Sequence, residues 1–362
     1  MPEGSRSLAS ILALDLRRGT LSLISIGAPI VVGVVSGQAG AGLVGGITGL
    51  LLALSDTEGS LVSRLGTTAG VALGIGVGGL LGAWLARGQP VFWVVFFAGI
   101  FAAGLLNRVG KGPHFAARFG AIAFAVIAGL PELAPETLWY FGGTVALCLV
   151  AKLIDQLGNG PLPDGAPWPG SIEACRSHWL RFALAYAIAA SAGLWIGVQS
   201  GSVRAVWTAA IVLVLMLPDI RLTYTRIVEG PIGTLLAALM VWLLNLASAP
   251  QAVLVAAILL FAFILPSQLP RFWLFSGLIA AIVLMAWALA SGDPTLQPLL
   301  LWERLEDTLI AAGLVSGVTL LFFPRESWSA LAGLFDRPRG CATPASEEES
   351  MRVLMAMSHL GR

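Results

Sequence analysis

The chain has 362 residues, of which 57% are hydrophobic and 11% charged, with a formal net charge of +1. A soluble domain carries about 25% charged residues, so lipid must be the solvent for most of this chain. The near-neutral balance excludes a polybasic nucleic-acid binder, and Cys148, Cys175 and Cys341 are too scattered for a disulfide framework or a metal motif.

Residues 1–18 carry Arg6, Arg17 and Arg18 ahead of any long apolar run. They read as a cytoplasmic segment without a cleavable signal, with a short surface helix over 7–16. Apolar runs long enough to cross a bilayer follow at 19–36, 39–55, 66–86, 90–106, 114–130 and 137–154. Residues 155–178, with Pro161, Pro163, Pro167 and Pro169, read as a cytoplasmic linker. A second set of six runs occupies 179–197, 203–218, 231–248, 250–266, 271–290 and 304–323, and 324–362 form a cytoplasmic tail. Within that tail, Ser346–Glu349 cap a short amphipathic helix over 351–360.

The expected fold is therefore an all-α polytopic membrane protein of about twelve transmembrane helices. With the N-terminus inside, 18 of the 21 basic residues lie on the cytoplasmic side, leaving only Arg87, Arg204 and Arg304 outside. Both termini are then cytoplasmic. The two sets echo each other: Gly33-Val-Val-Ser-Gly37 recurs as Gly197-Val-Gln-Ser-Gly201, and Arg17 then falls on Arg181. Arg64 falls on Arg226, each in the loop after its set's second span. Six spans is an even number, so 19–154 and 179–323 are expected to be parallel repeats with a substrate path near their interface.

No phosphate-binding loop, no serine elbow and no ligand spacing among His114, His178 and His359 occurs, so neither catalysis, a metal site nor a cofactor is expected. The third span repeats glycine at 66, 70, 74, 78 and 82, a bare stripe suited to close helix packing or to sliding. Arg64 and Arg226 are each followed by Gly-Thr, at Thr67 and Thr234. They read either as topology anchors or, with free amides at a helix start, as a carboxylate site. Asp219 and Asp56 lie just ahead of these arginines. Arg304 and Asp307 open the last span and can pair at i,i+3, or Asp307 can carry a proton. Arg118 is expected to snorkel to the cytoplasmic surface. Trp84, Trp93, Trp139, Trp302 and Trp328 read as interface anchors, while Trp207 and Trp242 either pack or line an aromatic path.

The run Trp207-Thr-Ala-Ala-Ile, Leu217-Pro218-Asp219, Arg226 and Gly233-Thr234-Leu-Leu-Ala resembles the signature of the FUSC family, the fusaric acid resistance and aromatic acid exporter-like membrane proteins. Arg64-Leu-Gly66-Thr67-Thr-Ala-Gly70 matches the same loop and helix start. Arg304-Leu-Glu-Asp307 through Gly313 is similar to the family's closing helix. Two features depart from the pattern: 155–178 stand where many members carry a soluble domain, and Glu229 and Pro231 interrupt the spacing from Arg226 to Gly-Thr.

The resemblance implies efflux of small organic anions, notably aromatic carboxylic acids, across the bacterial inner membrane by secondary, proton-motive-force-linked transport. Arg64, Thr67, Arg226, Thr234, Trp207 and Asp219 would bind substrate and Asp307 would couple protons. A periplasmic adaptor is an implied partner, and a homo-oligomer is compatible with it. The alternatives are an anion channel, a non-transporting envelope-assembly scaffold, and a six-plus-six carrier of the major facilitator class. The last would normally carry Asp where Ser63 precedes Arg64.

Overall fold

The computed structural model describes residues 15–335 apart from 57–58, 86, 130–134, 162–175, 201–204, 270 and 292–295. The expected helices over 7–16 and 351–360 lie wholly or almost wholly outside the described residues. The described elements are helical. We number them α1 (Leu16–Val35), α2 (Ala39–Leu54), α3 (Leu61–Trp84), α4 (Pro90–Leu106), α5 (Lys111–Ile127) and α6 (Pro135–Asn159). The second set is α7 (Arg176–Gln199), α8 (Val206–Leu215), α9 (Ile220–Leu246), α10 (Gln251–Ile264), α11 (Phe272–Ser291) and α12 (Leu296–Phe322), with α13 (Pro324–Phe335) after it. Eight of these segments are long and apolar enough to cross a membrane: α1, α3, α6, α7, α9, α11, α12, and α10 with its 3-10 extension to Gln268. The helices α2, α4, α5 and α8 are shorter, and α8 has only 10 residues. At 1.5 Å per residue α8 covers about 15 Å, half of a ~30 Å hydrocarbon core.

Helix ends follow local chemistry. Ser60 and Asp219 accept hydrogen bonds from the first backbone amides of α3 and α9, and Pro90 starts α4. Both capped helices begin well before the expected starts at 66 and 231. The starts predicted from hydropathy are late because Ser63, Arg64, Tyr224, Arg226 and Glu229 are polar yet helical.

Packing is paired across the two sets. α1 lies on α2, α2 on α6, α3 on both α5 and α6, and α4 on α5. Six helices further on, α7 lies on α8, α8 on α12, α9 on both α11 and α12, and α10 on α11. The contacts between sets correspond too: α4 packs on α7 as α10 packs on α1. Each seam is closed by glycine. A Cβ at Gly104 would meet the Cα of Ala183 at 2.7 Å, and one at Gly19 would meet the Phe263 carbonyl at 2.6 Å. With no water to reward apolar burial between helices in lipid, such backbone approach is what holds them.

The glycine stripe of α3 is divided between two surroundings. Gly74, Gly78 and Gly82 lie against the backbone carbonyls of Ala116, Gly120 and Phe124 on α5, whereas Gly66 and Gly70 face open space. A step of four residues overshoots one turn by about 40°, so the stripe winds away from α5 toward its start. In the second set Gly233 meets Trp273 and Gly277 at the corresponding α9–α11 contact.

At the ends where α1 and α3 begin and α2 and α6 finish, charged residues close the bundle. Arg64 has no exposed surface. Its Nη2 donates to Asp56 at 3.0 Å and its Nη1 to Asp155 at 2.8 Å and to Gln156 at 3.1 Å. Asp155 also receives Arg17 Nε at 2.7 Å, and Lys152 Nζ reaches Asp56 at 3.1 Å and Thr68 Oγ1 at 2.7 Å. The network ties the last turn of α6 to α1 and α3, and α6 runs on to Asn159, past the expected boundary at 154.

Two outcomes follow for thermal unfolding of the purified protein. Gly78→Leu drives a side chain into the Gly120 backbone and lowers stability by about 1–3 kcal/mol or more, while Gly66→Ala, with open space, is tolerated. Arg64→Gln leaves Asp56 to Lys152 and Asp155 to Arg17, and the broken buried network costs about 3–5 kcal/mol, part of which Arg64→Gln with Asp155→Asn restores.

Candidate functional site

Near the middle of α9 and α12 and at the start of α8, six side chains from three helices come together. Thr208 and Asp307 are buried, and the Thr208 hydroxyl donates to Asp307 Oδ1. Thr308, on the next position of α12, donates to the Arg304 carbonyl at 2.7 Å and stands 3.4 Å from the Thr234 hydroxyl of α9. The Arg304 guanidinium lies over the Trp207 ring, 4.6 Å from its centroid. Its Nε and Nη1 are buried with no hydrogen-bond partner.

The local reasons are simple. α12 places Arg304, Asp307 and Thr308 on one face, because residues three and four apart are neighbours on a helix. Short α8 starts at this depth, so Trp207 and Thr208 meet that face near their helix's first turn. Thr234 is on the flank of α9 that packs on α12. Chemically the cluster combines an aromatic plane, a guanidinium with free donors, three hydroxyls and a carboxylate. Guanidinium stacked on indole is held by cation–π attraction, which strengthens away from water. Charged groups within spans are rare and commonly functional.

Of the residues expected to bind substrate or couple protons, this cluster unites Trp207, Thr234 and Asp307. The other four lie elsewhere. Arg64 is held in the ionic network of α2, α3 and α6 described above. Thr67, half-buried, lies beside Gly112 on α5. Asp219 caps α9, accepting from the amides of Arg221 at 2.9 Å and Leu222 at 3.3 Å. The helix-start amides expected at Gly66–Thr67 and Gly233–Thr234 are interior to α3 and α9 and are bonded within them.

Arg226 belongs to a second group, at the seam between the sets. α8 ends at Leu215, leaving carbonyls of its last turn without partners inside the helix. Arg226 Nη1 donates to the Val214 carbonyl at 2.8 Å, and the Tyr186 hydroxyl of α7 donates to that of Leu213 at 3.0 Å. The guanidinium of Arg226 also lies 4.6 Å from the Phe272 ring centroid. A cation at a helix C-terminus is favoured by the dipole. Across the seam, Arg118 of α5 interacts through charge with both Arg226 and Tyr186. Arg118 is 6% exposed and its Nε has no partner, so it does not snorkel as expected. The phenylalanines flanking it, Phe115 and Phe119, lie 5.8 Å and 5.5 Å from its guanidinium and keep it inside.

Trp242 is 47% exposed and turns outward, away from any internal path, whereas Trp84, Trp139, Trp302 and Trp328 are exposed near helix ends, as interface anchors would be. Arg304, Thr208 and Thr308 were the residues that sequence reasoning did not assign to a site. The readable signal was the i,i+4 spacing of Arg304 and Thr308, and Thr208 beside Trp207.

Comparison with curated proteins and with solved structures returned no match. The scan against family models matched one, fusaric acid resistance protein-like, over residues 182–318. The matched stretch contains Trp207, Thr208, Arg226, Thr234, Arg304, Asp307 and Thr308, every residue of the mid-helix cluster. The family points to a membrane transport or resistance function. Over this stretch of its second half the chain is similar to the fusaric acid resistance protein-like, or FUSC, family.

Proposed function

We propose that this protein exports small organic anions, aromatic carboxylic acids foremost, across the bacterial inner membrane. It would do so as a secondary transporter built of twelve spans in two parallel six-helix repeats, with both termini cytoplasmic. The observation that carries the reading is the Arg304 guanidinium stacked on Trp207 with two buried nitrogens unpaired, beside Asp307. A planar acid would lay its ring along the Trp207 face and its carboxylate against the free Arg304 donors, with Thr234 and Thr308 offering hydroxyls. Helix pairings that recur six helices on support the two-repeat arrangement, and the seam they create holds Arg118 and Arg226 as a cationic approach to the cluster.

Export of a monovalent anion from a negative-inside cell is driven by the electrical part of the proton-motive force, about 2.3 kcal/mol per 100 mV. Asp307 would tune anion binding through Arg304, taking up and releasing its proton on the same side so that the exported charge stays −1. Ionised, it competes with the substrate carboxylate for the guanidinium. Protonated, it leaves Arg304 in need of an anion. Anion affinity therefore rises as pH falls through the titration of Asp307. In this reading the ionic network of Arg64, Asp56 and Asp155 holds the cytoplasmic ends of the helices, and a periplasmic adaptor would receive the exported acid.

The experiment is efflux of labelled hydroxybenzoate from proteoliposomes with an imposed inside-negative potential. Saturable, potential-accelerated efflux is expected, reduced at least tenfold by Arg304→Gln or Trp207→Ala in protein of normal stability. Asp307→Asn, fixed in the neutral form, should bind the acid tightly with no pH dependence. Non-saturating flux would make the protein an anion channel through the same residues. An absence of flux for hydroxybenzoate and for other organic anions would leave a scaffold.

A further inference from the structure

At the seam between the two sets of helices, the Arg118 guanidinium of α5 lacks the partners that a buried charge needs. The residue is 6% exposed and its Nε has no hydrogen-bond partner. Among the described residues, the groups that interact with it through charge are His114, Tyr186 and Arg226. None of them is a carboxylate, and Arg226 is a second guanidinium. Glu229 acts on Arg226 and is not among the groups that act on Arg118. The polar neighbours are committed elsewhere: the Tyr186 hydroxyl to the Leu213 carbonyl, His114 Nδ1 to that of Ala103, and Arg226 Nη1 to that of Val214. The Phe115 and Phe119 rings, at 5.8 Å and 5.5 Å, offer cation–π attraction near the limit of its range.

The architecture does not call for a cation here. The helix that corresponds to α5 in the second set is α11, and Phe272–Ser291 contains no charged residue. A buried charge with neither a counter-ion nor hydrogen bonds destabilises the protein that carries it. The same group suits an anion from outside: a fork of donors matches a carboxylate, and Arg226 supplies a second fork from the other side of the seam. The place also bears on the Trp207–Arg304 cluster, because short α8 has one group at each end. Its first turn carries Trp207 and Thr208, and its last carbonyls meet Tyr186 and Arg226. At 1.5 Å per residue, Thr208 to Val214 of α8 spans about 9 Å and Arg226 to Thr234 of α9 about 12 Å. Two positions so spaced let a ligand enter readily at one and still leave the other.

We propose that Arg118 and Arg226 form a second carboxylate-binding site at this seam, separate from the Trp207–Arg304 cluster. Its role rests on the export reading above: the seam site takes the organic acid first, from the cytoplasmic side, and passes it along α8 to Arg304. The bound carboxylate is the partner that Arg118 lacks, so binding also joins α5 of one set to α9 of the other.

The test is equilibrium binding of labelled benzoate to the full chain in detergent, with thermal unfolding measured beside it. Two sites per chain are expected. Arg118→Met, which fills much of the same volume without the charge, should weaken one site about tenfold or more. It should leave the Tm without ligand unchanged or raised, because an unpaired buried charge is removed. A merely structural arginine would lower that Tm and leave both sites. Arg118→Lys, which keeps the charge but not the fork, should weaken the same site severalfold and serves should Arg118→Met not fold. Arg304→Gln should remove the other site and spare this one. A single site abolished by Arg304→Gln overturns the seam proposal and leaves the export reading standing, while a single site sensitive to the Arg118 variants does the reverse. Binding unchanged by both Arg118 variants, or no binding at all, overturns the proposal.

Discussion

A guanidinium with no exposed surface is intolerable at the end of a helix bundle unless carboxylates meet it, and Arg64 meets two. Asp56 comes from the α2–α3 connection and Asp155 from the last turn of α6, so one side chain fixes three helix ends. Arg17 then joins α1 through Asp155, and Lys152 returns to Asp56. Each ion is costly to bury alone, and geometry with several hydrogen bonds per group is what offsets that cost. The remaining helices of the first set are held by glycine contacts that only make sense once these ends are in register.

The second set solves the same problem differently. Arg226, at the position corresponding to Arg64, has no carboxylate hydrogen-bonded to it and turns to the Val214 carbonyl and the Phe272 ring. Its charged neighbour across the seam is another cation, Arg118, and within its own half it meets the Tyr186 phenol and Glu229. Closure is thus acid-rich at Arg64 and acid-poor at Arg226. The mid-helix cluster of Trp207, Arg304 and Asp307 lies in the same half as Arg226, on three helices matched to the family. The ionic network thus lies in one half and the Trp207–Arg304 cluster in the other.

Short α8 is central to this division. A helix of 10 residues stops inside the hydrocarbon depth and exposes carbonyls there, which must be satisfied by protein. Tyr186 and Arg226 do so, and the cation is thereby held inside the bundle. Its first turn meanwhile delivers Trp207 and Thr208 to α12. The break that would be a defect in a uniform bundle positions polar groups from both its ends.

Much of this could be read from residues alone. Hydropathy found the apolar runs to within a few residues at most ends, and the echo of Gly33–Gly37 at Gly197–Gly201 accompanies helix pairings that recur six helices on. The motifs around Trp207, Arg226 and Arg304 pointed to the family that the matched segment bears out. Helix starts at Leu61 and Ile220 were missed because a polar, charged first turn is helical for reasons of capping, which hydropathy does not weigh. Composition and period are local properties, so the sequence by itself determined the solvent, the helical class and the repeat of motifs. What each arginine meets depends on distant partners: Asp155 for Arg64 and Trp207 for Arg304. Only the tertiary structure decided that, because charge burial is settled by what packing brings within a few ångströms and not by spacing along the chain.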